Sequence, residues 1–154
     1  MKKQIFPELI EIIPHRPPMV LLDAITEVGV DFISTSVRIH ENSLFYERGS
    51  GVPIWVGLEY MAQTAAALIG GEGRQNGGDI KLGFLLGSRR YETSTSYFTL
   101  GTKLYIKVTR LFQEGELGQF QCLITDQQGQ ELAWANISAF MPDDCDDFFR
   151  SQGI

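Results

Sequence analysis

The chain has 154 residues, 44% of them hydrophobic and 21% charged, which is typical of one globular domain, so we treat residues 1–154 as a single domain. The formal net charge of −6 argues against general nucleic-acid binding, because phosphate binding needs a concentrated basic surface. Two cysteines and two histidines without paired spacing support neither a disulfide framework nor a zinc site.

Neither a secretion signal nor a membrane span is predicted. After two lysines, the apolar residues of the N-terminus are interrupted by Pro7, Glu8 and Pro14, so no continuous signal-peptide core forms. The least polar run, residues 51–71, contains charged and amide side chains and falls short of the roughly 20 apolar residues that a span needs. We therefore expect a cytoplasmic protein.

The first elements are a short helix and a hairpin. PELIEII predicts a helical turn that Pro14 ends. MVLLDAITEV and DFISTSVRIH then predict two strands that turn around Gly29 and Asp31. In the second strand Ile33 and Val37 alternate with polar residues, as in a strand buried on one face.

Residues 51–71, GVPIWVGLEYMAQTAAALIGG, change to a helical period. Apolar residues cover nearly the whole circumference, which predicts a buried helix. Gly70 and Gly71 are expected to end it, and GGEGRQNGGD to form a flexible connection.

The remainder reads as strands and turns. IKLGFLLGSRRYETSTSYF predicts a bent pair of strands, LGTKLYIKVTRLF another strand, and GQFQCLITDQQGQELAWANISAF a hairpin around DQQG. About six strands and one early helix predict the α+β class, with an antiparallel sheet wrapped around one long buried helix, which is the hot-dog fold.

Glu59 and Gln63 are unexpected in such a helix. Burial of an unpaired carboxylate costs several kcal/mol, so Glu59 has to be exposed, paired, protonated or placed at a cavity. Gln63 follows one turn later, and the two side chains share one side of the helix. This polar stripe faces solvent, a dimer partner or a functional cavity.

Three segments carry a family resemblance. IIPHRPPMVLLDAITEV resembles the N-terminal segment of the 3-hydroxyacyl-[acyl-carrier-protein] dehydratases, and GLEYMAQTAA resembles their helix, in which an acid precedes Ala-Met-Ala-Gln. LGSRRYETSTSYFTLGTKL resembles their bent strand pair, with Leu-Gly-Thr in place of Pro-Gly-Asp. The resemblance covers nearly the whole chain and is greatest to the divergent branch of aryl polyene and related fatty-acid-like gene clusters.

The resemblance implies an activity and a site. These enzymes remove water from a β-hydroxyacyl thioester on the phosphopantetheine arm of an acyl carrier protein, and they need no cofactor of their own. A histidine takes the α-proton, and the helix acid, protonated through a raised pKa, helps the hydroxyl to leave. Glu59 would be that acid and Gln63 its substrate-binding neighbour, and backbone N–H groups near Gly57 would polarise the thioester carbonyl.

The family's catalytic histidine is missing from its expected loop. Alignment places Phe45 or Arg48 there, and neither is a base at neutral pH. His15 lies in the Pro-His-Arg segment, where the family's histidine is not the catalytic one. His40 precedes the loop, so we assign His40 and Arg48 to the substrate-binding region.

A dimer explains the missing histidine, because these dehydratases combine the histidine of one subunit with the acid of the other. The chain would then contribute Glu59 to a homodimer or to a heterodimer with a second dehydratase-like hot-dog protein that supplies histidine. Two alternatives are an acyl thioesterase, which needs no histidine in this loop, and a non-catalytic acyl-binding or scaffold subunit.

Because carrier proteins are usually acidic and this chain is negative overall, a carrier would bind at a local cluster of positive charge. Arg89 and Arg90 with Lys103 form the best candidate cluster, although charges at a strand edge also discourage sheet-to-sheet pairing. The acidic tail that contains Cys145 is expected to be mobile.

Overall fold

The computed structural model describes residues 6–75, 77, 83–142 and 150–153. Six strands form one antiparallel sheet in the order β1-β2-β6-β7-β8-β4. These strands are β1 (Ala24–Val28), β2 (Phe32–Arg38), β4 (Phe84–Thr93), β6 (Lys103–Glu114), β7 (Leu117–Thr125) and β8 (Glu131–Phe140). Two short strands, β3 (Val52–Pro53) and β5 (Tyr97–Phe98), pair with each other. The sheet wraps around one long helix, which confirms the predicted hot-dog fold.

The predicted hairpins are present. β1 and β2 pair antiparallel, and the turn between them is closed by a hydrogen bond from the amide of Gly29 to the carbonyl of Phe32. β7 and β8 turn through DQQG, where the amide of Gly129 donates to the carbonyl of Asp126. Period-two alternation therefore identified both pairs correctly.

Helix α1 (Gly57–Gln75) is longer than predicted. Gly70 and Gly71 do not end it, and the predicted flexible connection is helical as far as Gln75. Long-range ion pairs hold the last turn, because Glu72 accepts from Arg110 of β6 at 2.6 Å and Arg74 donates to Glu11 at 2.7 Å. Position 76, residues 78–82 and the acidic tail segment 143–149 lie outside the described residues.

The segment before β1 runs along α1. A short 3-10 turn (Leu9–Glu11) replaces the predicted helical turn, and Ile12 and Ile13 behind it are fully buried. Gly70 lets this segment approach, because a Cβ at Gly70 would overlap the carbonyl oxygen of Ile12. The N-terminal segment, residues 9–21, is therefore part of the core and not an appendage.

One edge of the sheet is open beside the helix. β4 pairs with β8 on one side and is the last strand of the sheet in the described residues. Its Leu85 and Leu86 are 44% and 60% exposed. Among the described helices none is long and apolar enough to cross a membrane.

Candidate active site

A cavity of about 170 Å³ lies between α1 and the strands β4, β7 and β8. Small residues on the helix leave the space open, since Ala62 and Ala66 follow Glu59 on the same side at helical spacing and are only partly buried. The lining consists of Pro14, His15, Glu59, Ala62, Ala65, Ala66, Ile69, Gly83, Leu85, Phe120, Ile137, Ala139 and Met141. The cavity is thus mostly apolar, and its ionisable lining residues are Glu59 and His15.

Glu59 lies at this cavity as a paired carboxylate. Its side chain is 34% exposed, and its Oε1 accepts a hydrogen bond of 2.9 Å from the amide of Gln63. The same oxygen lies 3.5 Å from Nε2 of His15. Glu59 is therefore both paired and placed at a cavity, which are two of the four possibilities that the sequence left open.

Gln63 fixes the N-terminal segment and does not face the cavity. It is fully buried, and its Nε2 donates to the carbonyl of Met19 at 2.7 Å as well as to Glu59. Its Oε1 accepts the amide of Leu21 at 3.0 Å. Both N–H groups of Gln63 are thus engaged within the protein, and its substrate-binding role stays a prediction.

His15 is the residue that sequence reasoning underestimated. We expected a non-catalytic position from the Pro-His-Arg motif, but the structure brings the imidazole to the cavity and to Glu59. The signal in the sequence was the pair of prolines that follow Arg16, which stop the segment from joining a helix or a sheet and leave it to run along α1.

The pKa of Glu59 is lowered, whereas the family resemblance implies a raised pKa for the helix acid. The hydrogen bond from His15 lowers the pKa of the carboxyl below 4.5, more than burial raises it, and the hydrogen bond from Gln63 lowers it further. The side chain in this chain is thus a carboxylate at neutral pH. The expectation of a raised pKa assumed apolar surroundings and did not include His15.

Gly57 begins the helix but does not present a free amide. Its N–H already donates to the carbonyl of Ile54, and the hydroxyl of Tyr91 donates to that carbonyl as well. A Cβ at Gly57 would overlap this hydroxyl and crowd the ring of Phe98. The missing side chain of Gly57 thus allows this close packing. The polarisation of a thioester carbonyl by other backbone N–H groups near Gly57 stays a prediction.

His40 and Arg48 lie away from the cavity and are exposed. Nδ1 of His40 accepts the amide of Asn42, and its ring lines a separate groove that includes Tyr60. Phe45, at the other aligned position, packs edge-on against Trp55 with ring centroids 5.4 Å apart. The structure therefore does not bring His40 and Arg48 to the Glu59 cavity of the same chain, and their binding of substrate stays a prediction.

The predicted basic cluster is divided. Arg89 and Arg90 are exposed on β4, where Arg90 pairs with Glu92 at 2.8 Å. Through β8 and β7, Arg90 is in register with Thr109 of β6, six residues beyond Lys103 and so about 20 Å along the strand. Lys103 instead lies against the ring of Tyr105, and it does not belong to the arginine pair.

Comparisons with known proteins identify the family of the chain and structures of the same fold. A sequence-family model described as "ApeP-like: ApeP dehydratase" matches residues 7–150. The structure is similar to the dehydratase heterocomplex ApeI:P from Xenorhabdus doucetiae, with a TM-score of 0.89, 24% identity, and coverage of 97% of this chain and 100% of that chain. No curated protein sequence gives a significant match.

More distant structures share the fold alone. A hypothetical thioesterase with coenzyme A from Streptococcus pneumoniae has a TM-score of 0.62 at 15% identity, over 77% of this chain and 84% of that chain. The E. coli PaaI protein has a TM-score of 0.62 at 11% identity, over 76% and 81%.

Proposed function

Because the chain belongs to the ApeP-like dehydratase family, we propose that it is one subunit of a cytoplasmic heteromeric dehydratase. Its substrate is a 3-hydroxyacyl thioester on the phosphopantetheine arm of an acyl carrier protein, in aryl polyene or related fatty-acid-like lipid synthesis. The observation that carries the proposal is the position of the Glu59 carboxylate at an apolar cavity whose wall is a helix face of alanines.

The size and lining of the cavity suit an acyl group. Its volume of about 170 Å³ resembles that of an engineered apolar cavity of about 150 Å³ that accepts benzene. The apolar end of the acyl group would lie against Ala62 and Ala66, and the hydroxyl-bearing carbon would lie beside Glu59. This placement brings a titratable group to the bonds that dehydration breaks.

The open edge at β4 supports a second hot-dog subunit as the partner. An edge strand that carries exposed leucines is a surface on which another chain can bind. Leu85 lines the cavity and is 44% exposed, so a partner on β4 would also close the cavity over its substrate. The similar structure from Xenorhabdus doucetiae is itself a heterocomplex.

The carrier protein would bind near the same edge. Arg89 and Arg90 are exposed on β4, and acidic carriers associate with local positive charge even when the net charge of the partner is negative. Glu92 neutralises part of the charge of Arg90, so we assign the larger share of carrier binding to Arg89. Lys103 lies about 20 Å away along the strands, so it would contact a carrier apart from this arginine pair.

The test uses the complex of this chain with its hot-dog partner. Formation of the enoyl thioester from a carrier-bound 3-hydroxyacyl thioester is measured for the native complex and for Glu59→Gln. Loss of a positioned acid–base group lowers kcat by about 10²–10⁴-fold. Glu27→Gln, a matched change of an exposed glutamate on β1 at the opposite edge of the sheet, should leave kcat within a factor of two.

The alternatives give different results. Free thiol released from the same substrate without an enoyl product identifies an acyl thioesterase. Native activity of the Glu59→Gln complex makes the chain a scaffold subunit and refutes the proposed function.

A further inference from the structure

The contact between His15 and Glu59 is formed within one chain. Nε2 of His15 lies 3.5 Å from Oε1 of Glu59, and the imidazole is 26% exposed where it lines the cavity. The chain has two histidines, and the other one, His40, lines a different groove. A histidine is therefore present at the carboxylate without the usual loop.

Several contacts hold the backbone on both sides of His15. The guanidinium of Arg16 donates to the carbonyls of Ile10, Ile13 and His15, at 3.3, 3.0 and 2.7 Å. Beyond the prolines, the amide of Gln63 binds the carbonyl of Met19. This region is thus anchored at two points, and the imidazole between them is directed at the helix.

The two ring nitrogens of His15 have different surroundings. Nδ1 is buried and has no hydrogen-bond partner among the described residues, whereas Nε2 faces the cavity and Glu59. In the described part of the chain, Glu59 on α1 contacts the imidazole, and the guanidinium of Arg16 binds the backbone carbonyl of His15. Proton exchange with a bound substrate is therefore confined to Nε2.

We propose that His15 is a catalytic residue of this chain and that it works with Glu59 as an acid–base pair supplied by a single subunit. The proposal rests on the proposed dehydration of a 3-hydroxyacyl thioester. It differs from the sequence-based expectation, in which the partner subunit supplies the histidine.

The pair can complete the reaction without any other reactant. Glu59 takes the proton from the α-carbon, and the electron pair of that C–H bond forms the double bond to the β-carbon. The bond from the β-carbon to the hydroxyl oxygen breaks, and the oxygen leaves as water with the Nε2 proton of His15, which starts the cycle as an imidazolium and becomes a neutral imidazole. The proton on Glu59 then passes to His15 across their contact and restores the starting state.

The charge of Glu59 agrees with this direction. The hydrogen bond from His15 lowers the pKa of Glu59, so the carboxylate is the proton acceptor of the pair. His15 then takes the part of donor, which is the reverse of the roles that the resemblance implies for the histidine and the acid. The chain thus keeps a proton donor and a proton acceptor, but the histidine is the donor and the glutamate is the acceptor.

The test compares three variants in the complex with the hot-dog partner. His15→Gln keeps an N–H group for Glu59 but has no proton to give, and His15→Ala removes both. We expect both to lower kcat at least about 100-fold, with KM within about threefold, because a general acid contributes 10²–10⁴-fold. Glu27→Gln, at an exposed glutamate on β1 at the far edge of the sheet, should keep native kcat.

Each outcome has one meaning. If His15→Gln keeps kcat within threefold while Glu59→Gln loses it, His15 only positions the carboxylate and this inference is overturned, but the proposed function stands. If Glu59→Gln also keeps its activity, the proposed function itself fails.

A spectroscopic measurement does not depend on the folding of a His15 variant. In the complex labelled with ¹⁵N-histidine, the Nε2 resonance of His15 should shift in Glu59→Gln, because the carboxylate lies against that nitrogen. The resonances of His40, which lines a different groove, should not change. A Nε2 resonance of His15 that does not respond to Glu59→Gln would show that the two groups are not in contact and would overturn the inference.

Discussion

Gly70 offers a direct test of how the N-terminal segment is held against α1. A Cβ at this position would overlap the carbonyl oxygen of Ile12, whereas a Cβ at Gly71 meets nothing within 4 Å. Both glycines lie inside the helix. Alanine at either position should therefore gain the same helix propensity, and only alanine at Gly70 should have to displace backbone.

The expected free energies follow from these two effects. Alanine is favoured over glycine in a helix interior by about 1 kcal/mol, so Gly71→Ala should raise the free energy of unfolding by up to that amount. Overpacking costs about 1–3 kcal/mol or more, and the overlapped atom is backbone, so Gly70→Ala should lie about 1–3 kcal/mol below Gly71→Ala. The propensity gain cancels in this difference, which leaves the strain alone.

Urea unfolding followed by tryptophan fluorescence measures both variants. In a chain of this length, 1 kcal/mol corresponds to a Tm change of about 2–4 °C, so thermal unfolding should separate them as well. Displacement of Ile12 should also move His15, and the dehydration rate should fall in Gly70→Ala but not in Gly71→Ala. Equal stability of the two variants would refute the close approach of the segment to the helix.

Two further predictions concern buried polar groups. The hydroxyl of Thr35 is buried and bonds to that of Thr64 on α1, so Thr35→Val should lower the free energy of unfolding by about 1 kcal/mol in urea titration, whereas Thr99→Val, at an exposed hydroxyl pair, should change it little. The pKa of Glu59 is lowered from 4.5 in the folded protein, so its contribution to stability is complete above pH 4.5 and is lost as the pH falls through the lowered value. Thermal unfolding of Glu59→Gln should accordingly show a weaker loss of Tm in acid than the native protein, and an identical acid dependence would contradict the pairing of Glu59.

Periodicity was sufficient to predict the fold. Alternation in β2 and helical spacing in α1 reflect which face each element buries, and this property is local in the sequence. The end of α1 was not predictable in this way. Gly70 and Gly71 are typical helix terminators, but the ion pairs of Glu72 and Arg74 with distant residues extend the helix beyond them.

The candidate site was predicted only in part. Glu59 was identifiable because a charged residue breaks an apolar helix, which is visible in the sequence. His15 was not, because it is 44 positions away and reaches Glu59 only through the path of the N-terminal segment. The same long-range packing brings Gln63 to the backbone of Met19 and Leu21, which the sequence pattern did not predict.

The N-terminal segment determines the charge of Glu59. Four effects act on this carboxyl: the hydrogen bond from His15, the hydrogen bond from Gln63 and the charge interaction with His15 lower its pKa, and burial raises it. His15 belongs to the segment, and Gln63 is oriented by its bonds to the segment. If the segment is displaced, burial remains as the main effect, and the carboxyl shifts toward the protonated form that the family resemblance assigns to the helix acid. One helix residue can therefore serve as a proton acceptor or as a proton donor, and the difference lies in a segment that precedes it by about 40 residues.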